Sequence, residues 1–163
     1  MQIGIGSDHN GFQLKEQIKD FLEQKGIDVV DYGCYSPEST DYPDVAFEVA
    51  KEISSGKIER GVLICGTGIG VAIAAGKYPG IRAALCHDPY SAERAQKSNN
   101  AQVLTMGAQI IGLEAAKKVV EAYVNSSFDS NSPSNKKVQK IIDREKELLQ
   151  TSGIEYESRS SCS

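Results

Sequence analysis

The sequence predicts an α/β fold: a doubly wound, five-stranded parallel sheet in a three-layer αβα arrangement, with an extra C-terminal helix. Two observations lead to this prediction. Short apolar runs alternate with segments whose apolar residues recur at helical spacing, and this alternation is typical of βαβ units. One apolar run, residues 61–65, contains no polar residue, as expected of a strand that helices cover on both faces.

Apolar runs predict the strands, and apolar residues at helical spacing in the segments between them predict the helices. The predicted strands are residues 3–6, 29–32, 61–65, 81–86 and 103–106. The predicted helices cover residues 12–26, 41–56, 71–75, 88–97, 113–124 and 136–149. Pro43 and Pro89 lie near the starts of two of these helices, in agreement with the preference of proline for the first helical turn.

The chain of 163 residues fits a single domain, which we assign to residues 1–150. Residues 125–135 are rich in Ser and Asn and predict a loop before the last helix. Residues 151–163 are polar and rich in Ser, which predicts a disordered tail.

The composition argues against several classes of protein. A net charge of −4 disfavours nucleic-acid binding, which usually requires a basic surface. No stretch approaches the roughly 18 apolar residues that span a bilayer. The N-terminus has no basic region before an apolar run, so we predict no secretory signal, a cytoplasmic protein and no membrane partner.

The cysteines and glycines predict neither a metal nor a cofactor. The four cysteines lie far apart without a Cys-x-x-Cys pair, which disfavours zinc binding and dithiol redox chemistry. We expect free thiols, and we interpret Cys34, Cys86 and Cys162 as packing or tail residues. A Walker A loop is absent, and the pair Gly4 and Gly6 lacks the third glycine of the dinucleotide fingerprint.

The segment from Cys65 to Gly70, CGTGIG, is the most informative part of the sequence. It lies where a predicted buried strand turns into a helix, and a helix N-terminus favours an anion such as a phosphate or an enediolate oxygen. The same position favours the thiolate form of Cys65. A thiolate beside oxyanion donors can take a proton from a carbon next to a carbonyl. From position alone, a buried structural cysteine is an equally good interpretation.

Reactive side chains follow three different predicted strands. Asp8 and His9 follow the first strand, Cys65 the third and His87 the fourth. Because parallel strands end at one edge of the sheet, where ligands bind, these residues are predicted to lie along that edge. Simpler interpretations exist: Asp8 as the cap of the helix that begins near Gly11, and His87 as part of an ordinary helix entry.

Several motifs in one order carry a resemblance to a known family: residues 6–15 (GSDHNGFQLK), 40–43 (TDYP), 64–70 (ICGTGIG), 80–84, 89–92 and the region of Asn99. The chain resembles the ribose-5-phosphate isomerase B and galactose-6-phosphate isomerase family over residues 1–125, and more loosely to about residue 150. The resemblance implies a Rossmann-like sheet and a metal-free, cofactor-free aldose–ketose isomerase acting on a small sugar phosphate. It also implies a homodimer or tetramer in which two chains share each active site.

The same resemblance assigns roles to residues of this chain. Cys65 carries a proton between C1 and C2, and Thr67 helps to move a proton between O1 and O2. The amides of Gly66, Gly68 and Gly70 hold the enediolate. Contacts with the sugar or its phosphate are implied for Asp8, His9, Tyr42 and Asn99. We add Ile69 and Lys137 as candidate substrate-binding residues.

Two departures from the family pattern bear on the substrate. Family members that act on ribose 5-phosphate usually have a ring-opening histidine just before the position of Asn99, where this chain has Ser98. Ring opening would therefore be left to Ser98, His87 or solvent. The family's phosphate-binding arginines are also missing, so Lys136 or Lys137 would supply the charge. This Asn-Lys-Lys segment is more similar to the B subunit of galactose-6-phosphate isomerase.

The leading hypothesis is isomerisation of ribose 5-phosphate to ribulose 5-phosphate through a cis-enediolate. A tetrose 4-phosphate is an alternative that needs no ring opening, because its esterified terminal oxygen cannot close a furanose ring. Galactose 6-phosphate is another alternative. Other classes are a subunit that works only with a different partner chain and a binding protein without activity, which the presence of both Cys65 and Thr67 disfavours.

Overall fold

The computed structural model describes residues 1–151, and within them it has five strands and six helices in the predicted order. The strands are β1 (Gln2–Ser7), β2 (Asp28–Asp31), β3 (Arg60–Cys65), β4 (Ala83–Leu85) and β5 (Val103–Gly107). The helices are α1 (Phe12–Gln24), α2 (Tyr42–Ser54), α3 (Ile69–Lys77), α4 (Pro89–Lys97), α5 (Leu113–Val124) and α6 (Asn135–Gln150). Apart from its first residue, the predicted tail, with Cys162, lies outside the described residues.

The strands form one parallel sheet in the order β2-β1-β3-β5-β4, which confirms the predicted sheet. From β1 the chain moves outward to β2 and then crosses back to β3, on the other side of β1. This reversal creates a topological switch point at the carboxyl ends of β1 and β3, where open parallel sheets bind ligands. Ser7 lies beside Ile64 in the register, so the residues that follow them open onto one crevice.

Helices cover both faces of the sheet: α1, α4 and α5 pack on one face, and α2 and α3 on the other. The residues of β3 enter the two cores alternately. Val62 and Ile64 belong to the first core, and Leu63 and Cys65 to the second. Because successive side chains of a strand point to opposite faces, a strand buried on both sides needs an unbroken apolar run.

All the element bounds lie within two residues of the prediction, and the differences at β4 and α3 bear on the site. β4 spans Ala83–Leu85 rather than residues 81–86, because Ile81 donates its N–H to the carbonyl of Tyr78 in a turn and the chain then leaves the sheet early for α4. α3 begins at Ile69, two residues before the predicted start, so the helix follows the glycine-rich turn directly. The short β4 leaves part of β5 without a strand neighbour on that side.

A buried lysine ties the β2–α2 loop to the end of β1. Lys15, on α1, is fully buried and donates to the carboxylate of Asp31 at 2.7 Å and to the carbonyl of Cys34 at 2.7 Å. Cys34 donates its own N–H to the carbonyl of Ser7 at 2.7 Å. Burial alone would raise the pKa of Asp31, but the hydrogen bonds from Lys15 and from the N–H of Gly33 outweigh it and hold that pKa below its usual value.

Helix α6 leaves part of its apolar side exposed. Val138 is buried, whereas Ile141 and Leu148, further along the helix, are 53% and 54% exposed. Glu145 accepts a hydrogen bond from the N–H of Gly80 at 2.9 Å, which holds α6 against the α3–β4 loop. In residues 1–151, no helix is long and apolar enough to cross a membrane.

Candidate active site

A pocket of about 480 Å³ opens at the switch point between β1 and β3. It is lined by Asp8, Asn10, Tyr42, Cys65, Gly66, Thr67, Ile69, Gly70, Ile73 and Gln109. The edge of the sheet thus places Asp8, Tyr42 and residues of the CGTGIG segment around one pocket. A larger hollow of about 640 Å³ beside the start of α6 has no cysteine, histidine or aromatic residue among its described lining, so it offers no comparable chemistry.

The thiol loop, residues 65–70, gives the sulfur of Cys65 a backbone donor. Cys65 is 4% exposed, and the N–H of Gly68 donates to its Sγ at 3.1 Å. Gly68 has a φ of +76°, a conformation that glycine adopts without strain. The sulfur thus accepts a backbone hydrogen bond where the loop enters α3. The resemblance assigned the Gly68 amide to the enediolate, whereas in this structure it donates to sulfur.

The segment after β5 holds this loop in place. Ala108 donates its N–H to the carbonyl of Cys65 at 2.9 Å, and Gln109 donates its N–H to the carbonyl of Gly66 at 3.0 Å. Thr67 completes the loop, with its hydroxyl accepting from the N–H of Ile69 at 3.3 Å. Backbone hydrogen bonds between the two segments therefore continue beyond the ends of β3 and β5, and they fix the loop backbone.

Asp8 lines the pocket and also supports the entry to α1. Its carboxylate accepts a hydrogen bond from the N–H of Gly11 at 3.0 Å, so the capping interpretation and the pocket interpretation describe the same side chain. His9 lies beside the pocket residues in sequence but is not part of the lining. Its Nδ1 accepts from the N–H of Thr40 at 3.2 Å, which assigns the ring proton to Nε2 and leaves Nε2–H as a donor.

Tyr42 closes one side of the pocket. It is the first residue of α2, and its ring packs directly on Gly70, where a methyl group would lie 2.5 Å from Cζ of the tyrosine. Ile69 and Ile73, one turn apart on α3, add an exposed apolar edge to the same opening. The absence of a side chain at Gly70 is therefore what allows the tyrosine to approach the thiol loop.

The remaining predicted site residues do not line this pocket. The hydroxyl oxygen of Ser98, at the end of α4, accepts from Nε of Arg94 at 2.8 Å and from its Nη2 at 2.5 Å. Asn99 follows Ser98, and Lys137 is exposed on α6. Nε2 of His87 accepts from the N–H of Gly107 at 2.9 Å. The hydroxyl oxygen of Ser98 and Nε2 of His87 therefore both accept hydrogen bonds from the protein itself.

The pocket of one chain carries no positive side chain. Its described lining includes the carboxylate of Asp8 but neither lysine nor arginine. Over residues 1–151, no group of three or more His, Cys, Asp or Glu side chains could hold a metal ion. A dianionic ligand in this pocket therefore meets no cationic side chain among the described lining residues of the same chain.

Gln109 is a pocket residue that the sequence analysis missed. Its Oε1 lies 3.1 Å from the position that a methyl group on Gly66 would occupy, so the amide borders the loop. Asn10 and Ile73 were also missed as lining residues. The signal for Gln109 was available, because it follows β5 as Asp8 follows β1, and the rule that ligands bind after strand ends applies equally to it.

Together these features form a site whose functional groups suit proton transfer at a carbon next to a carbonyl. Cys65 supplies a thiol whose sulfur accepts a backbone N–H, Thr67 supplies a hydroxyl two residues later, and Asp8 supplies a carboxylate at the same opening. Aldose–ketose isomerisation requires this kind of proton transfer.

The comparisons with known proteins agree with this class. The chain matches the family model described as Ribose/Galactose Isomerase over residues 3–141. It is 51% identical over 143 residues to a D-erythrulose-4-phosphate isomerase of Pectobacterium atrosepticum, covering 86% of this chain and 93% of that protein. It is 44% identical over 128 residues to ribose-5-phosphate isomerase B of Escherichia coli, covering 78% and 86%. A solved structure of Clostridium thermocellum ribose-5-phosphate isomerase B has a TM-score of 0.87 at 43% identity, covering 91% and 99%.

The chain therefore belongs to the ribose/galactose isomerase family and is a sugar phosphate isomerase. The matches confirm the family predicted from the motifs, and the solved relative confirms the predicted αβα fold. They leave the individual residue roles as predictions.

We expect Gly70→Ala to lower kcat/KM by about tenfold without loss of stability. The new methyl group would displace the Tyr42 ring, a flexible side chain, whereas alanine is favoured over glycine in a helix. The matched control is Gly76→Ala on the same helix, because no atom lies within 4 Å of the methyl position there. Steady-state kinetics and thermal melting of both variants test this; equal activity in both would contradict the role of the Tyr42 contact.

Proposed function

We propose that this isomerase interconverts a tetrose 4-phosphate and its 2-ketose. The observation that carries the proposal is the state of the two side chains considered for ring opening. Both lone pairs of the Ser98 hydroxyl face the guanidinium of Arg94, so this oxygen can donate but cannot accept a proton. Nε2 of His87 accepts from Gly107, which leaves its other nitrogen protonated. A four-carbon sugar phosphate stays open-chain and requires neither.

The proposed reaction uses the thiol loop. Starting from the ketose, the Cys65 thiolate takes a proton from C1, and the C2 carbonyl becomes the oxyanion of a cis-enediolate. The hydroxyl of Thr67 relays a proton from O1 to O2. The Cys65 thiol then returns its proton to C2, which leaves an aldehyde at C1 and restores the thiolate. Asp8 accepts a hydrogen bond from a sugar hydroxyl, and Tyr42 and Gln109 border the carbon chain.

The relatives support two substrate lengths. The relative named D-erythrulose-4-phosphate isomerase shares half of the aligned residues with this chain, which favours the four-carbon substrate. Ribose 5-phosphate is the second candidate, because other relatives are named for it. It would require ring opening by solvent or by rearranged side chains. Galactose 6-phosphate remains the third substrate predicted from the sequence.

We further propose that two copies of the chain share each active site. Within residues 1–151, the pocket of one chain has no lysine or arginine in its lining, and the exposed lysines of α6 lie outside it. The apolar side of α6, with Ile141 and Leu148, is exposed in a single chain and suits burial against a second copy. Lys137 and Asn99 would then complete the pocket of the partner.

The first experiment is a substrate panel with the purified chain: erythrulose 4-phosphate, ribose 5-phosphate and galactose 6-phosphate. We expect the highest kcat/KM with the four-carbon substrate, and no turnover by Cys65→Ala with binding largely kept, because only the proton carrier is lost. Activity of Cys65→Ala at the parent rate would overturn the assignment of the base. Inactivity of the parent chain on all three sugars would favour a subunit that requires a different partner.

We expect Ser98→His to increase activity on ribose 5-phosphate by about tenfold or more relative to the tetrose phosphate, because general-base catalysis contributes at least that much. The histidine would supply the base that ring opening needs. Ser98→Gln, of similar size but without a base, is the matched control. The ratio of kcat/KM for the two substrates is the measurement, and an equal increase in the glutamine variant would show that bulk, not basicity, sets the preference.

Mixing two inactive or weak variants tests the shared site. Cys65→Ala and Lys137→Ala chains that are co-expressed and pair at random should recover about one quarter of the parent activity. Half of the dimers are then mixed, and each mixed dimer has one intact site of two. A mixture of Cys65→Ala with Lys140→Ala, which alters another exposed α6 lysine, controls for the loss of surface charge. Recovery no greater than the sum of the separate variants would show that each chain builds its own site.

A further inference from the structure

A threonine beneath the pocket holds the thiol loop from below. Thr105, on β5, is fully buried, and its hydroxyl donates to the carbonyl of Gly68 at 2.9 Å. Gly68 is therefore fixed on both sides, because its own N–H donates to the sulfur of Cys65. We propose that Thr105 is a positioning residue for the isomerase reaction: it keeps the N–H of Gly68 directed at the Cys65 thiolate. The inference rests on the proposed role of Cys65 as the base.

The need for such a contact follows from the backbone of Gly68. A glycine in the left-handed region has no side chain to restrict it, so its neighbours decide its orientation. The backbone of Met106 limits it on one side, where a methyl group on Gly68 would lie 2.6 Å from a carbonyl carbon. The Thr105 hydroxyl sets the direction of the Gly68 carbonyl. Without that bond, the buried carbonyl of Gly68 must turn to find another donor, and the N–H of Gly68 shifts away from the sulfur of Cys65.

A purely structural role would give a different result. If Thr105 only satisfied a buried carbonyl, its loss would lower stability and leave the chemistry of Cys65 unchanged. A positioning role instead predicts a less reactive thiol and a lower kcat. KM should change little, because the N–H of Gly68 contacts the sulfur rather than the substrate. Thiol reactivity and the split between kcat and KM therefore distinguish the two roles.

The experiment compares three variants. Thr105→Val keeps the shape and removes the donor, and Thr105→Ser restores the donor. Ser126→Ala is the matched control, because Ser126 is another buried hydroxyl that donates to a helix carbonyl, that of Ala122 at 2.8 Å, at the end of α5. For each variant we would measure the melting temperature, kcat, KM and the rate at which iodoacetamide alkylates the Cys65 peptide at neutral pH, followed by mass spectrometry. Burial, and to a smaller extent the charge of Asp88, raise the pKa of Cys86 to about 11. The Cys86 thiol therefore competes poorly with Cys65 for iodoacetamide.

For Thr105→Val we expect alkylation of Cys65 and kcat to fall by about tenfold, with KM within about twofold of the parent, since a hydrogen bond to a charged group has an effect of this size. Thr105→Ser should return both rates to near the parent values, and Ser126→Ala should lose stability alone. If Thr105→Val does not fold, Thr105→Ala removes the same donor and replaces it in the comparison.

Parental alkylation in a folded Thr105→Val protein, or failure of Thr105→Ser to restore it, would overturn this inference. Alkylation does not depend on which sugar is turned over or on whether Cys65 is the base. An active Cys65→Ala protein would therefore overturn the proposed function while leaving the alkylation comparison valid, so the two failures are distinguishable.

Discussion

The geometry of the site depends on backbone pairing between the loop after β3 and the segment after β5. In the sheet, Cys65 lies beside Gly107, and backbone hydrogen bonds from Ala108 and Gln109 join the two segments past the last residue of each strand. A methyl group on Gly107 would lie 2.5 Å from the backbone of Thr67, so the two segments approach as closely as glycine allows. The position of the thiol is therefore set by the register of the sheet rather than by a flexible loop.

The short β4 gives His87 its place in this arrangement. A full-length β4 would offer the N–H of Gly107 a backbone carbonyl, but the chain leaves the sheet after Leu85. The imidazole of His87 accepts that N–H instead, and it thereby completes the hydrogen bonding of β5 next to the thiol loop. A reactive residue type after a strand end thus has a backbone role in this chain, which its position in the sequence did not reveal.

On the other side of the switch point, the buried Lys15 performs a similar task. A lysine ammonium has three donors, and here they meet Asp31, Glu16 and the carbonyl of Cys34. Full use of its donors offsets the cost of removing the charge from water. Through Cys34 and Ser7 this cluster fixes the chain directly before Asp8. The two halves of the pocket, one around Asp8 and one around Cys65, therefore have separate supports.

Local patterns explain why the sequence predicted the order of the elements, the thiol loop and the entry to α2 at Tyr42. Periodicity, glycine and proline are properties of neighbouring residues. The place of Gln109 in the pocket and the hydrogen bond from the Gly68 amide to sulfur depend on β5 lying beside β3. No local segment of the sequence determines this strand order. The contact between Arg94 and Ser98, four residues apart on α4, was within reach of sequence reasoning, because such pairs lie on one helix face.

The charge distribution of the pocket has a consequence for how the protein would work at low concentration. A phosphate dianion that approaches an isolated chain meets the carboxylate of Asp8 and the sulfur of Cys65, while the described lining presents no cation to balance it. In the shared-site arrangement proposed above, affinity for the substrate would be a property of the assembled protein rather than of the single chain. Turnover per chain would decline on dilution, as subunits separate and the lysines of α6 are withdrawn from the neighbouring pocket.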